Sequence, residues 1–330
     1  MTTPLSLSLG PTALGSAAVV DLASRAEDLG ITSAWASEVA GPDAFTLLGA
    51  VAATTDLDLG VGVVPVQTRS TFALAMSALS LADLTGGRFS LGIGASSETL
   101  VTRFAGVPYE RPLAHVREAA TALRPALAGD RTSLDGDFVS IGGYRYPAPA
   151  PTPVPLFIGS LNKVSLRMTG ELADGLCLNQ FAPDHLPRML AEVRAGAEQA
   201  GRSLPEDFPV MARLFVAVTD DVPAARDFVR SIFAPYVAND GYNRFYRWMG
   251  YEAAAETIGA AAARGDRAAM AAAMTDEIID DLFILGDAAF VADRVDQYVD
   301  AGITIPALEI LAPSPDAVLA SLEAVIAARG

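Results

Sequence analysis

The chain has 330 residues, of which 23 are Lys or Arg and 39 are Asp or Glu, so its formal net charge is −16. This acidic balance disfavours nucleic acids and anionic membranes as partners, because both repel negative charge. The single cysteine, Cys177, excludes an internal disulfide framework and a cysteine-based zinc site. No run approaches the ~18 apolar residues of a membrane span, and the N-terminus lacks a basic signal-peptide start. We therefore expect a cytoplasmic protein.

The first part of the chain alternates short apolar runs with segments of helical periodicity. The predicted strands are Leu5–Gly10, Ser33–Glu38, Leu57–Val66 and Arg88–Gly94. The predicted helices are Ser16–Leu29, Asp43–Thr54, Phe72–Leu84 and Pro112–Leu127. The segment Leu100–Val107 is predicted as a loop or a short helix. Strand, helix and strand from Leu57 onward form a βαβ unit, whose right-handed crossover makes the two strands parallel.

The second part resumes the alternation after an interruption. Residues 131–155 contain two alternating runs around Gly142-Gly143 and predict a hairpin excursion. The predicted strands that follow are Pro155–Ser160, Gly175–Gln180, Phe208–Thr219 and Pro306–Leu311. The predicted helices are Lys163–Ala173, Pro183–Ala200, a segment from Val222, Ala288–Ala301 and Pro315–Ala328. Residues 235–281 are rich in Ala, Met and aromatic residues and predict an insertion of two or three helices.

Eight predicted strands that alternate with helices indicate an α/β fold of the (β/α)₈ TIM-barrel class. We expect residues 1–330 to form one such domain, with the hairpin and the helical segment as insertions. A doubly wound sheet would require a GxGxxG turn after the first strand, and Gly10-Pro11-Thr12 does not supply one. In a barrel, the active-site groups lie at the carboxyl ends of the strands.

The predicted strand ends carry small and polar residues rather than strong nucleophiles. They lack a histidine, a cysteine and paired carboxylates, which disfavours metal catalysis and Ser-His-Asp hydrolysis. The turns Gly94–Ser97 and Gly159–Asn162 offer main-chain donors, and Lys163 adds a positive charge nearby. Such turns bind anions at helix N-termini, although plain helix capping explains the same residues. Glycines are costly inside strands, so Gly60, Gly62, Gly92 and Gly94 indicate either bulges or places where a flat group approaches the backbone.

Several longer motifs resemble a known family. The runs LADLTGGRFSLGIGASS, GVPYERPL and ELADG resemble the luciferase-like flavin and deazaflavin oxidoreductases, in particular the coenzyme F420-dependent members allied to methylenetetrahydromethanopterin reductase. The resemblance runs from the N-terminus to about Asn179 and resumes at Leu285–Leu311. It implies a (β/α)₈ barrel with an insertion and a cofactor ring at the carboxyl ends of the strands. A non-prolyl cis peptide backs the ring in deazaflavin members, and here it would join Gly62 and Val63.

The resemblance also implies the residues of the site. The cofactor-binding residues would be Gly62, Val63, Val64, Pro65, Gly94, Ala95, Ser96, Ser97, Gly159, Ser160, Leu161, Asn162 and Lys163. The substrate-binding residues would be Asn179, Gln180 and Phe181. Sugar-phosphate-oxidising relatives carry Asp-His where this chain has Glu38-Val39, and a lysine after the sixth strand where Asn179 to Phe181 stand. Oxidation of glucose 6-phosphate is therefore disfavoured. Glu38 is the carboxyl placed for proton transfer, and a hydrogen-bonding brace is the alternative role for it.

The resulting hypothesis is a coenzyme F420-dependent oxidoreductase that moves a hydride between C5 of the deazaflavin and a small organic substrate. One alternative keeps the fold and uses FMN as the cofactor of a monooxygenase. A second alternative is a catalytically inactive barrel that only binds a cofactor. We expect no metal and a homodimer or higher homo-oligomer. Aromatic residues of the helical insertion form either a lid or a packing surface, namely Tyr242, Phe245, Tyr246, Trp248 and Tyr251.

Overall fold

Parallel strands close into a barrel in the computed structural model, which describes residues 2–10, 14–148 and 152–330. The strands within these residues are β1 (Ser6–Leu9), β2 (Ser33–Ala36), β3 (Asp58–Pro65), β4 (Phe89–Gly94), β5 (Thr132–Asp135), β6 (Ser140–Tyr144), β7 (Leu156–Gly159), β8 (Gly175–Asn179), β9 (Val210–Val218), β10 (Ile284–Gly286) and β11 (Ile305–Ile310). Around the barrel the order is β1-β2-β3-β4-β7-β8-β9-β11. The pairing of β1 with β11 closes the ring, so the predicted (β/α)₈ barrel and its eight strands are confirmed.

Helices surround the barrel. In the described residues they are α1 (Ser16–Asp28), α2 (Ala44–Ala52), α3 (Thr71–Leu84), α4 (Pro112–Leu127), α5 (Lys163–Leu172), α6 (Leu186–Gln199), α7 (Val222–Val237), α8 (Asp240–Met249), α9 (Glu252–Ala263), α10 (Arg267–Ala273), α11 (Asp276–Leu282), α12 (Ala288–Ala301) and α13 (Pro315–Arg329). Those of the insertion, α8 to α10, pack mainly against α7 and one another. Side chains that accept a hydrogen bond from the first turn fix several starts, including Asp43 for α2 and Ser70 for α3. No helix in the described ranges is long and apolar enough to cross a membrane.

The hairpin excursion exists, but its turn lies elsewhere than predicted. β5 and β6 pair antiparallel, and the Gly136 amide donates to the Val139 carbonyl oxygen at 2.9 Å. Gly142-Gly143, predicted as the turn, lies within β6. The turn is held by the carboxylate of Glu118 on α4, which accepts hydrogen bonds from the amides of residues 137, 138 and 139. This contact is distant in sequence, so the local pattern did not reveal it. The predicted return of the excursion includes residues 149–151, which lie outside the described residues.

The helical insertion is more divided than predicted. Four helices, α8 to α11, cover the described residues 240–282, whereas the sequence indicated two or three. The short strand β10 follows them and extends the sheet beside β9, and it was not predicted because three residues show no periodicity. The predicted helix from Pro183 begins with a 3₁₀ turn, Pro183–His185, and the segment after β4 contains a π-helical turn, Leu100–Phe104.

A cluster of buried side chains, the plug, fills the barrel below the carboxyl ends of its strands. Trp35, Phe157, Cys177, Met211 and Ala307 form this plug, and the rings of Trp35 and Phe157 meet edge-on at 5.2 Å between centroids. Burial raises the pKa of the Cys177 thiol well above its usual value, so this cysteine is an unreactive packing residue.

Packing inside the barrel explains three of the strand glycines. A side chain at Gly60 would collide with Trp35, and one at Gly62 would collide with Met211. Gly92 faces the Val61 carbonyl oxygen in the same way. Gly60, Gly62 and Gly92 are therefore required by the barrel's own packing, and the register between β3 and β4 shifts between Val61 and Val64, as the bulge interpretation predicts.

Candidate active site

The main chain of β3 forms the wall of the barrel mouth above the plug. The peptide bond between Gly62 and Val63 is cis, as the resemblance implied. Both residues remain partly exposed, although the neighbouring strands are largely buried. The Val63 methyl groups occupy the space beside two glycines: an added Cβ would lie 2.7 Å from them at Gly94 and 3.0 Å at Gly159. Small residues on β4 and β7 are thus needed to seat Val63.

The turn after β4 presents free main-chain donors. The amides of Ala95, Ser96 and Ser97 donate to no acceptor in the part of the chain that the structure describes. Ser96 has a φ of 57°, a conformation that residues with a side chain rarely adopt and that clusters at functional sites. The Tyr109 hydroxyl holds this turn by donating to the Ser96 carbonyl oxygen at 2.9 Å. The arrangement leaves three donors available to an anionic or polar ligand.

The turn after β7 offers less than its sequence suggests. The Ser160 hydroxyl is buried and lies 2.9 Å from the Thr169 hydroxyl. The Asn162 side chain caps α5 by accepting from the Ser165 amide at 3.0 Å. The Leu161 amide has no acceptor among residues 2–10, 14–148 and 152–330. What this turn presents is therefore its main chain, while its polar side chains are engaged inside the protein.

Positive charge near α5 is already paired. Lys163 Nζ lies 3.0 Å from the Glu192 carboxylate, and Arg167 Nε lies 2.7 Å from it. Burial alone would raise the pKa of Glu192, but the hydrogen bonds from Arg167 and Lys163 outweigh it and lower that pKa. Lys163 is half exposed, so it still contributes a positive potential at the α5 N-terminus.

The carboxylate of Glu38 is held by donors on all sides. Arg69 donates to both of its oxygens, at 3.2 and 2.9 Å, and the Ala44 amide donates to Oε2 at 3.2 Å. Arg69 also pairs with Asp43, the cap of α2. The side chain of Glu38 is 16% exposed. Of the two roles open from sequence, this geometry supports the brace that joins β2, α2 and the loop after β3.

Buried polar atoms without partners concentrate at the strand ends. Gln180 is 2% exposed and has a φ of 53°, and its Oε1 accepts from the Tyr246 hydroxyl at 3.0 Å while its Nε2 has no partner. Asn179 Nδ2 lies 3.0 Å from the Tyr242 hydroxyl, and its Oδ1 has no partner. Both amide atoms of Gln67, after β3, are also buried and unpartnered. Each such atom requires an explanation, and a bound molecule at the mouth supplies one.

The aromatic residues of the insertion are expected to form either a lid or a packing surface, and α8, which carries four of the five, is a packed helix. Tyr242 and Tyr246 lie one turn apart on α8 and both contact the end of β8, while Phe245 is fully buried. Burial raises the pKa of the Tyr242 and Tyr246 hydroxyls, so both remain protonated: Tyr242 accepts from Asn179, and Tyr246 donates to Gln180. A side chain at Gly241 would lie 3.9 Å from Leu161. α8 therefore roofs the mouth above β7 and β8. Phe181 is buried below it, and its ring meets Tyr298 edge-on at 5.3 Å.

One part of the mouth was missed by the sequence reasoning. Arg213 on β9 donates through Nε to Glu309 on β11 at 3.2 Å, and the Ser8 hydroxyl donates to the same carboxylate at 2.6 Å. A side chain at Gly10 would collide with Glu309, so the carboxylate lies against the end of β1. The signal was present: Arg213 and Glu309 are lone charges in the apolar strands VMARLFVAV and IPALEI, at inward-facing positions.

The residues of the mouth fit a planar cofactor with an anionic tail. Gly62 and Val63 are partly exposed, and the amides of residues 95–97 and 161 are unpaired donors of the kind that an anionic group requires. The unpartnered atoms of Asn179 and Gln180 lie at the end of β8, the neighbour of β7 in the barrel. Among the described residues, no group of three or more His, Cys, Asp or Glu is placed to hold a metal ion.

Comparison with known proteins identifies the family. Residues 4–304 match the family described as luciferase-like monooxygenase. A 5,10-methylenetetrahydromethanopterin reductase from Methanolobus tindarius is 30% identical over 300 residues, which is 90% of each chain. The structure of the coenzyme F420-dependent tetrahydromethanopterin reductase from Methanopyrus kandleri shares the fold, with a TM-score of 0.80 at 23% identity over 99% of this chain and 98% of that one. An FMN-bound type II Baeyer–Villiger monooxygenase from Pseudomonas putida has a TM-score of 0.72 at 19% identity, covering 98% and 96%. This chain therefore belongs to the luciferase-like monooxygenase family.

Proposed function

We propose that this protein is a coenzyme F420-dependent oxidoreductase acting on a small organic substrate. The observation that carries the proposal is the accessible Gly62-Val63 main chain beside the three free amides of Ala95, Ser96 and Ser97. The likeness to a methylenetetrahydromethanopterin reductase over 90% of the chain supports the choice of cofactor. When bound, the deazaflavin supplies the hydride chemistry at C5.

The chain's own residues bind and orient the reactants. Gly62 and Val63 support one face of the ring, and Gly94 and Gly159 keep Val63 in place. The amides of residues 95–97 and 161 bind the anionic tail, with the partly exposed Lys163 nearby. This division places the tail toward β4 and β7 and leaves the β8, β9 and β11 side of the mouth for the substrate.

The substrate side is polar and protected from water. Asn179 and Gln180 supply amide groups with free hydrogen-bonding capacity, and Tyr242 and Tyr246 fix their orientation. The α8 roof excludes water from this side, which strengthens hydrogen bonds to the substrate and prevents competing reactions of the hydride. Glu38 braces the loop that carries Arg69 and transfers no proton.

A fluorescence titration with F420 and with FMN tests the cofactor. We expect saturable binding of F420 and none of FMN at the same concentrations, followed by oxidation of the reduced deazaflavin when enones, imines and quinones are screened. Affinity for FMN without affinity for F420 would contradict the choice of cofactor and favour the monooxygenase alternative. An FMN-bound monooxygenase shares this fold. F420 binding without turnover of any acceptor would favour the inactive barrel.

We also propose that residues 1–330 act as one domain in a homodimer or higher homo-oligomer, with no nucleic-acid partner. The exposed apolar side chains Phe72 and Met76 on α3 and Phe228 and Ile232 on α7 support the oligomer, because apolar surface in stripes usually packs against another surface. Light scattering coupled to gel filtration tests it, and a monomeric mass would contradict it.

A further inference from the structure

Arg213 is held in the mouth by one of its N–H donors, and the donors on its two terminal nitrogens are unused within the described residues. Its Nε donates to Glu309 at 3.2 Å, and its guanidinium carbon lies 4.7 Å from the centre of the Phe215 ring. The two terminal nitrogens, Nη1 and Nη2, donate to no group in the described chain. The side chain is only 12% exposed. Its terminal nitrogens are unpartnered but not fully buried, so they belong to the exposed part of the side chain.

The position of this guanidinium is on the substrate side. Arg213 pairs in register with Asn179 on β8 and lies two residues beyond Met211, which belongs to the plug. Its charge also acts on the Tyr242 hydroxyl, which lies 3.0 Å from Asn179 Nδ2. Arg213, Asn179 and Tyr242 therefore form one polar wall immediately above the plug, across the mouth from Val63.

Charge balance decides which kind of group this wall accepts. The positive charge of Arg213 is compensated by Glu309, whose side chain is 8% exposed. A second carboxylate or phosphate at Nη1 and Nη2 would leave a nearly buried negative charge without compensation, which is costly. A neutral carbonyl oxygen accepts the same two hydrogen bonds and leaves the charge balanced, and hydrogen bonds from a charged donor are stronger than neutral ones.

We propose that Arg213 binds a neutral carbonyl oxygen of the substrate through Nη1 and Nη2, and that Glu309 and Ser8 are positioning residues for it. This inference rests on the proposed function and deepens it, since it names the substrate class: an uncharged compound with a ketone, aldehyde, ester or amide oxygen. Ser8 fixes the Glu309 carboxylate at 2.6 Å, and Glu309 in turn fixes the plane of the guanidinium.

The test uses the F420-bound protein and two probes of similar shape, cyclohexanone and cyclohexanecarboxylate. Ligand-observed NMR measures their affinity with oxidised F420 in place, so no turnover is needed. We expect the ketone to bind at least about tenfold more tightly than the carboxylate, because the hydrogen bonds of Arg213 are made without an uncompensated charge. Arg213→Lys should lower ketone affinity about tenfold and leave F420 affinity unchanged. Arg117→Lys, on the outer surface of α4, is the matched control and should change neither.

Glu309→Gln provides the second arm, because it leaves Arg213 in place without its compensating charge. The preference should then reverse, with the carboxylate bound more tightly than the ketone. If Arg213→Lys does not fold, the result for Glu309→Gln tests the proposal instead. Unchanged ketone affinity in Arg213→Lys with normal F420 binding would overturn this inference alone. An equal loss of F420 affinity would also overturn it, since Arg213 would then belong to the cofactor site. A wild-type protein that binds no F420 would overturn the proposed function and this inference with it.

Discussion

The guanidinium of Arg69 donates to both carboxylate oxygens of Glu38, from Nε at 3.2 Å and from Nη2 at 2.9 Å. This pair joins the end of β2 to the loop after β3, the strand that carries the Gly62-Val63 surface. The Ala44 amide adds a third donor from the start of α2. A carboxylate with this many donors is suited to holding elements together.

Replacement of Glu38 distinguishes a brace from an acid. Glu38→Gln should destabilise the protein by about 1–3 kcal/mol, because Arg69 loses one of its two charged partners in a mostly buried site. The pH dependence of kcat for hydride transfer should keep its shape. Arg69→Gln removes the other partner and leaves the carboxyl, so it should reproduce the same loss of stability. If Glu38→Gln abolished turnover in a stable protein while Arg69→Gln did not, the brace would be the wrong role.

Replacement of Gly94 tests how the Val63 side chain is held in place. Gly94→Ala places a Cβ 2.7 Å from a Val63 methyl group, so Val63 must move toward the mouth. We expect a loss of stability of about 1–3 kcal/mol together with weaker F420 binding, measured by denaturation and by fluorescence titration. Gly49→Ala in α2 is the control, because nothing lies within 4 Å of its added Cβ and alanine favours helix. Equal F420 affinity in the wild type and in Gly94→Ala would place the ring away from Val63.

The barrel could be predicted from the sequence because strands and helices differ in the spacing of their apolar residues. Buried parallel strands are continuous apolar runs, and helix starts such as Asp43 and Ser70 are marked by capping residues. The site was only partly readable. The strand ends follow from the fold, but the pairing of Lys163 with Glu192 and of Arg213 with Glu309 joins residues far apart in the chain. The hairpin turn failed for the same reason, since Glu118 on another element determines it.

The contact between Tyr246 and Gln180 holds the α8 roof. Within the described residues, Tyr246→Phe removes the one hydrogen bond of the Gln180 side chain, and we expect a loss of about 1–3 kcal/mol because the buried amide then has no partner there. In a Gln180→Gly background, the same tyrosine change should cost less than about 0.5 kcal/mol. Urea denaturation of the four proteins measures this coupling. Equal costs in both backgrounds would show that the hydroxyl does not stabilise Gln180.

His115 makes stability depend on pH. Burial against Phe138 lowers its pKa below 6.5, and the charge of Glu118 opposes that shift only partly. The unfolded chain therefore binds a proton more readily, so the contribution of His115 to stability is present above pH 6.5 and is lost as the pH falls. We expect the urea midpoint of the wild type to decrease more than that of His115→Gln between pH 7.5 and pH 5.5. A parallel decrease in both proteins would show that His115 is solvated.

A crystal structure of the F420-bound protein would test most directly the claim that the cofactor binds at the mouth of the barrel. We predict the deazaflavin ring against the Gly62-Val63 main chain, with its anionic tail toward the amides of Ala95 to Ser97 and Leu161. A ring bound elsewhere would contradict this account, for example in the cleft of about 660 Å³ at the opposite end of the barrel, lined by Arg194, Arg202 and Phe208.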